Sequence, residues 1–536
     1  MMGLHLLLAA AAAAPSAPLS LNLPPDAPAG DASYIDASVR VDGELLDWAF
    51  VDIDGDGNDE LALSTRTPRG ARELRLHKMT SKRISPEPYQ TIPMLKDIVA
   101  WTFADVRADL GGRELVLLTR QGAWSFDPRK SGYKNNISKL CELALLYDVP
   151  SPRALPYWTY VLDGPGAGGD QLMLPERTGF SIFGPRKVKV EGELPWAART
   201  TYRRTSGWTP PDPNDQARRQ REAEREGDKR QARFSVTVGD SLQPFLGDGA
   251  SGSLVEDEFR IQAPAIIDVN GDGRRDMLLL DGKRLNVYLA GPNGIPERPT
   301  RVEEIPAYLE KDGERAALRL VDVDGDGDRD VLGIWSEDVD GFKNAQWRIY
   351  VMRAEPDRML PAKPTQVLRF EAAELRVVVT DVDGDKRPDL AVRRFELPGM
   401  LDTVTGLEFK YAQLIYLGTK RGGFERKPTL RKETTFDEDS VQEVLANRVL
   451  AMDCSGDGIA DLVEVNLKGE LGVRRVTKDS SFFGGSSWKI DDGYWKQYAS
   501  RGSVSSLDVR DLNNDGLGDI ISASDSVLTV YLSQKR

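Results

Sequence analysis

Asp322-Val-Asp-Gly-Asp-Gly-Asp-Arg-Asp330 sets carboxylates at positions 1, 3, 5 and 9 of a tight loop and runs directly into the apolar stretch Val331-Leu-Gly-Ile334. Alternate residues of such a loop can converge on one point, while Gly325 and Gly327 supply backbone angles that other residues avoid. Position 7 would add a backbone carbonyl. Five further copies give the sets Asp52/Asp54/Asp56/Glu60, Asp268/Asn270/Asp272/Asp276, Asp381/Asp383/Asp385/Asp389, Asp453/Ser455/Asp457/Asp461 and Asp511/Asn513/Asp515/Asp519. Every candidate ligand is oxygen, which favours a hard cation, calcium above all, over zinc or copper.

Carboxylates crowded ~4 Å apart repel by about 1 kcal/mol even in water, so a bound cation would make these loops foldable. Asp-Gly stretches also serve as plain turns, but six copies in one register argue against that reading. The EF-hand differs in carrying its last ligand at position 12 and sitting between amphipathic helices. Here short β-type runs follow instead, such as Leu61-Ala-Leu-Ser64, Met277-Leu-Leu-Leu280, Leu462-Val-Glu-Val465 and Ile520-Ile-Ser-Ala523. Two copies are irregular: Lys386 stands where glycine is expected with Pro388 at position 8, and Cys454-Ser455 interrupts another.

A second anchor, an alternating strand, follows the first: Leu285-Asn-Val-Tyr-Leu289, Arg348-Ile-Tyr-Val-Met352, Leu414-Ile-Tyr-Leu417 and Leu528-Thr-Val-Tyr-Leu532. The two anchors together expose decayed units ending at Glu114, where Arg107 replaces a ligand, and at Asp170. The ninth-position acids Glu60, Glu114, Asp170, Asp276, Asp330, Asp389, Asp461 and Asp519 are mostly 54 to 59 residues apart. Units of that length with about four short strands predict an all-β fold, a radial β-propeller of eight blades. A ring of seven follows if the unit around Asp170 is not a full blade. Only two strands follow the last mark, whereas Tyr34-Ile-Asp-Ala-Ser-Val-Arg-Val41 precedes the first loop. Donating that N-terminal strand to the final blade would close the ring and cover its edges.

The loop between two strands resembles the FG-GAP or VCBS repeat family, which is related to the integrin alpha-chain propeller, over roughly Asp31 to Arg536. The Phe-Gly and Gly-Ala-Pro parts of that signature survive only as echoes, at Leu289-Ala-Gly-Pro-Asn-Gly294 and Tyr416-Leu-Gly-Thr-Lys-Arg-Gly-Gly423. What the resemblance implies is an extracellular, calcium-stabilised propeller used for cell adhesion or ligand binding, and sometimes as the body of a polysaccharide lyase.

The net charge of −13 disfavours nucleic acid and anionic membranes as partners. Since 21 of the candidate ligands are acidic, six structural Ca2+ ions would bring the chain to about −1, so much of the acidity is a metal-site count. Residues 1–17, with an apolar run from Leu4 to Ala14, read as a signal peptide, and 18–30 as a Pro/Ala-rich linker before a propeller spanning 31–536. The expected location is therefore secreted, periplasmic or cell-surface, with no transmembrane segment. Cys141 and Cys454 are compatible with a disulfide or with two free thiols. Asn136-Ile-Ser138 fits a glycosylation sequon that matters only in a eukaryotic secretory host.

Two stretches break the repeat. The segment 188–260 reads as an insertion within the propeller, in which Trp208 to Pro213 precedes a charge-dense run from Gln216 to Arg233 without an apolar stripe; that run is a solvated excursion or a partner-binding arm. Phe482, Phe483, Trp488, Tyr494, Trp495 and Tyr498 are blade core or an exposed sugar- or protein-binding cluster. The two histidines, His5 and His77, lack an accompanying nucleophile elbow or zinc motif, so no catalytic residue is assigned. The expected function is non-enzymatic binding of an extracellular protein or glycan ligand; the alternatives are a calcium-dependent polysaccharide lyase and a subunit of a surface-assembly complex.

Overall fold

In the computed structural model the described residues run from 33 to 534, apart from 81–82, 108–109, 111, 130–131, 144, 146–151, 164–168, 177–178, 185–187, 192–196, 205–232, 238–252, 261–263, 282, 312–313, 338–343, 399–408, 437–447, 466–469, 481–485 and 499–503. They form eight four-stranded antiparallel sheets. Blades 1 to 8 are numbered by their second strands, Glu60–Arg66, Glu114–Thr119, Asp170–Glu176, Asp276–Asp281, Asp330–Ser336, Asp389–Glu396, Asp461–Val465 and Asp519–Ala523. The expected eight-bladed propeller is therefore the fold, and the unit around Asp170 is a full blade.

Second strands are apolar on both faces because each blade is packed between two neighbours, and Glu60 to Thr65 and Glu114–Thr119 are buried throughout. The core is accordingly a circle of layers between blades. Trp101 and Phe103 of blade 2 pack on Ala49 and Val51 of blade 1, and Val269 and Leu278 of blade 4 on Val331 of blade 5. Val463 and Val473 of blade 7 meet Ile520 and Tyr531 of blade 8, whose Ile521 and Leu528 in turn meet Phe50 and Leu61 of blade 1. That last layer closes the circle.

Closure comes from the N-terminal strand, as the strand count predicts. Ser33–Arg40 is the outermost strand of blade 8, antiparallel to Val527–Gln534 from Ser33 opposite Gln534 to Arg40 opposite Val527. The Tyr34 hydroxyl lies 2.9 Å from the carbonyls of both Cys454 and Gly518, so the first strand also grips the seam between blades 7 and 8.

The aromatic cluster divides. Trp495 and Tyr498 pack into that same seam, with Tyr498 4.3 Å from the ring of Tyr531 and both rings edge-on to Tyr34. Trp488 is partly buried on a hairpin of Val476–Ser480 and Ser486–Ile490, and Tyr494 is partly exposed, with Arg474 4.0 Å over its ring. Phe482 and Phe483 lie outside the described residues. Cys141 and Cys454, in blades 2 and 7, are not joined in a disulfide. His77 is buried with Nδ1 2.9 Å from the Ser85 carbonyl, and burial pushes its pKa below the ordinary range.

Within 188–260, Val188–Glu191 is the fourth strand of blade 3, and Ala197–Arg204, Ser253–Arg260 and Arg233–Thr237 form a separate three-stranded sheet in that order. The expected signal peptide, the linker, Trp208 to Pro213 and the charged run from Gln216 up to 232 lie outside the described residues. Among those described, no helix is long and apolar enough to cross a membrane.

Candidate metal centre

Each acidic loop joins the first and second strands of its blade, and the ninth-position acid opens the second strand in all eight blades. Seven of these acids are buried; Asp170 is half-buried. A buried carboxylate needs hydrogen bonds or a cation. One oxygen accepts the position-2 amide of the same loop, from Ile53, Val106, Val269, Val323, Val382, Cys454 or Leu512, at 2.7 to 3.1 Å. In blades 4, 5, 6 and 8 the other oxygen accepts an amide at or just past the end of the third strand, that of Ala290, Ala354, Gly418 or Ser533, at 2.6 Å. The ninth acid thus ties its loop to the third strand. Burial is the main force raising the pKa of Asp330 and Asp389 to about 6 and of Asp461 to about 7, against the pull of these amides.

The first and fifth positions shape the loop. Asp52, Asp322, Asp381 and Asp453 each accept the amides of positions 4 and 6. Asp268 and Asp511 accept those of positions 5 and 6. Asp56, Asp272, Asp326, Asp385, Asp457 and Asp515 each accept the amide of position 7. Position 3 behaves differently: one oxygen each of Asp54, Asp324 and Asp383 is buried without a hydrogen-bond partner. Leaving such an oxygen unpaired costs about 1 to 3 kcal/mol, more when it is charged. Carboxylate oxygens of Asp52/Asp54/Glu60, Asp322/Asp324/Asp330 and Asp381/Asp383/Asp385 lie within 4.8 Å of one another. These sets fit a hard divalent cation, having oxygen donors alone and, at position 3, a buried oxygen without a partner. Asn270 and Asn513 instead turn their amide groups toward Asp272 and Asp515, at 3.1 and 3.3 Å.

Sequence reasoning missed the cations that face these loops. The residue opposite the ninth acid, one past the end of the third-strand pairing, is Lys78 in blade 1, Arg353 in blade 5 and Arg475 in blade 7, as the registers Leu61–His77, Val331–Met352 and Leu462–Arg474 require. Lys78 Nζ bridges Asp54 and Glu60, Arg353 pairs with Asp324, and Arg475 lies 3.5 Å from Asp457. In blade 2 the charges are exchanged: Arg107 Nε lies 2.9 Å from Glu114, its guanidinium also pairs with Asp127, and Asp127 occupies the opposite position. A signal existed in the sequence, a basic residue closing three of the third strands.

Neighbouring loops are latched edge to edge. The amide of Arg329 donates to the Val269 carbonyl at 2.7 Å, Ala460 to Val382 at 2.8 Å and Gly518 to Asp453 at 2.7 Å, each from position 8 of one loop to the loop before it. Pro388 holds position 8 in blade 6 and has no N–H to give. Lys386 adopts φ 69°, in the left-handed region that glycine occupies at position 6 of the other five loops. Lys386→Gly is therefore expected to stabilise the fold by about 1 kcal/mol, read from denaturant midpoints.

The family described as FG-GAP-like repeat matches residues 268–333, from the blade 4 loop into the second strand of blade 5. The chain thus carries an FG-GAP-like repeat within an eight-bladed β-propeller. No curated protein matches this chain. Among solved structures, an Agrocybe aegerita lectin described for specific recognition of non-reducing terminal N-acetylglucosamine shares 12% identity and a TM-score of 0.38, over 94% of this chain and 96% of that one. A chain of the crystal structure of BBS1N in complex with ARL6DN, soaked with lead, shares 10% identity and a TM-score of 0.31, over 93% and 96%.

Proposed function

We propose that this FG-GAP propeller is an exported, calcium-stabilised scaffold that binds a protein or glycan ligand without chemically changing it. The observation that carries the calcium part is the buried, unpaired position-3 oxygen of Asp54, Asp324 and Asp383, set among further carboxylates that are themselves committed to loop amides. Calcium would sit among Asp52, Asp54 and Glu60 and their counterparts, neutralising charge and fixing each first-to-second strand connection. Export is supported by the apolar run from Leu4 to Ala14, since low-affinity loops fill best where calcium is abundant.

Recognition is assigned away from the metal loops, because the loop groups are spent on holding blades together. The three-stranded sheet within 197–260 departs from the repeat and stands apart from the blade sheets. Replacing 197–260 by a short Gly-Ser linker is expected to leave the thermal midpoint within a few degrees and to abolish binding on a calcium-containing glycan and protein array. Retained binding would move the recognition surface to the blades. Growth of 235 nm absorbance on a polyuronate would reverse the non-enzymatic reading in favour of the lyase.

A further inference from the structure

The structure assigns Lys78 the role of an internal competitor for the cation of the blade 1 loop, an inference that rests on the calcium reading above. By sequence, Asp52 to Glu60 is among the most regular of the six loops. Its geometry differs from the rest. Lys78 Nζ lies 2.6 Å from Asp54 and 2.7 Å from Glu60, so one ammonium holds the carboxylates of positions 3 and 9 together.

The arrangement depends on glutamate at position 9. With aspartate, in blades 4, 5, 6 and 8, the second oxygen is taken by a third-strand amide. The extra methylene of Glu60 carries its oxygen to Lys78 instead, and Glu114, the other glutamate at this position, likewise meets a side-chain cation, Arg107. In blade 2 a guanidinium from the loop itself pairs with the ninth acid and with Asp127. Blade 1 makes a similar pairing from the opposite strand, while keeping all four loop ligands. Arg353 does not reach as far, touching Asp324 while the ninth acid, Asp330, stays with its two amides. A divalent ion entering blade 1 must therefore displace an ammonium from two ligands at once. The unpaired second oxygen of Asp54 remains available to receive it.

Calcium titration of the chelator-stripped full chain, with calcium alone as the probe, tests this. Lys78→Met is expected to tighten one equivalent by about tenfold and to lower the thermal midpoint in chelator, where the ammonium no longer neutralises the loop. The reciprocal change, Leu417→Lys together with Asp389→Glu, places an ammonium opposite a ninth-position glutamate and is expected to weaken one equivalent by a similar factor; it serves if the first variant folds poorly. An unchanged isotherm for either folded variant overturns the role. Failure of the calcium reading looks different, since the unaltered chain would then bind at no loop; a lone equivalent gained by Lys78→Met in that background would still support the competitor.

Discussion

Deleting Ser33–Arg40 is expected to abolish the monomeric fold, leaving oligomers or aggregate where the intact chain sediments as a single species. The strand supplies the whole outer edge of blade 8 through eight paired residues, from Ser33 to Arg40. At about 0.5 to 1.5 kcal/mol for each net hydrogen bond, that ladder alone is comparable to the stability of an ordinary domain. Its removal also uncovers the apolar layer around Val39, Leu528 and Leu532 and leaves Val527–Gln534 as a bare edge strand, a template for pairing with other chains. The Tyr34 contacts with the carbonyls of Cys454 and Gly518 go with it, so the seam between blades 7 and 8 opens as well. A synthetic peptide of residues 33–41 added in trans should restore the monomer. A truncated chain that stays monomeric with an unchanged melting profile would mean that the ring closes by other contacts. Val39→Asp is the milder version, placing a charge at a buried position and lowering the midpoint without deleting the ladder.

That closure could be read from the sequence because it follows from counting. Two strands after Asp519 and a spare strand before Asp52 leave one economical answer, and the ninth-position acids marked the start of every second strand because the need to bury and tie a carboxylate there recurs even where the ion set has decayed. What escaped was lateral. Lys78 is 18 residues beyond Glu60 and meets it only through the hairpin register, so no local pattern names it. The inter-blade latches from Arg329, Ala460 and Gly518 are backbone bonds, invisible to side-chain identity. Trp495 and Tyr498 could not be divided from Tyr494 by alternation, because their burial is set by Tyr34, which arrives from the far end of the chain.

The calcium response should be large and should grow with pH. In chelator, Asp330 and Asp389 titrate at about 6 and Asp461 at about 7, each raised chiefly by burial above the unfolded value near 3.9. A carboxyl whose folded pKa is raised adds stability that is complete below the unfolded pKa and is lost as pH rises through the folded one. The metal-free propeller is therefore expected to melt at a progressively lower temperature between pH 5 and pH 7.5. On the calcium reading proposed above, binding would reverse that cost, because calcium ligands must be deprotonated and binding releases their protons. At a hundredfold excess over its dissociation constant each filled loop contributes about 2.7 kcal/mol, and several filled loops would raise the midpoint by ~10 °C. The interval between midpoints with and without calcium should widen from pH 5 to pH 7.5. Asp330→Asn narrows it at the upper pH while keeping an oxygen for the Val323 or Ala354 amide, so the chelated variant should lose less midpoint across that range than the unaltered chain does. An interval that is flat or shrinks with pH would separate the buried ninth acids from the ion and leave them as strand ties alone.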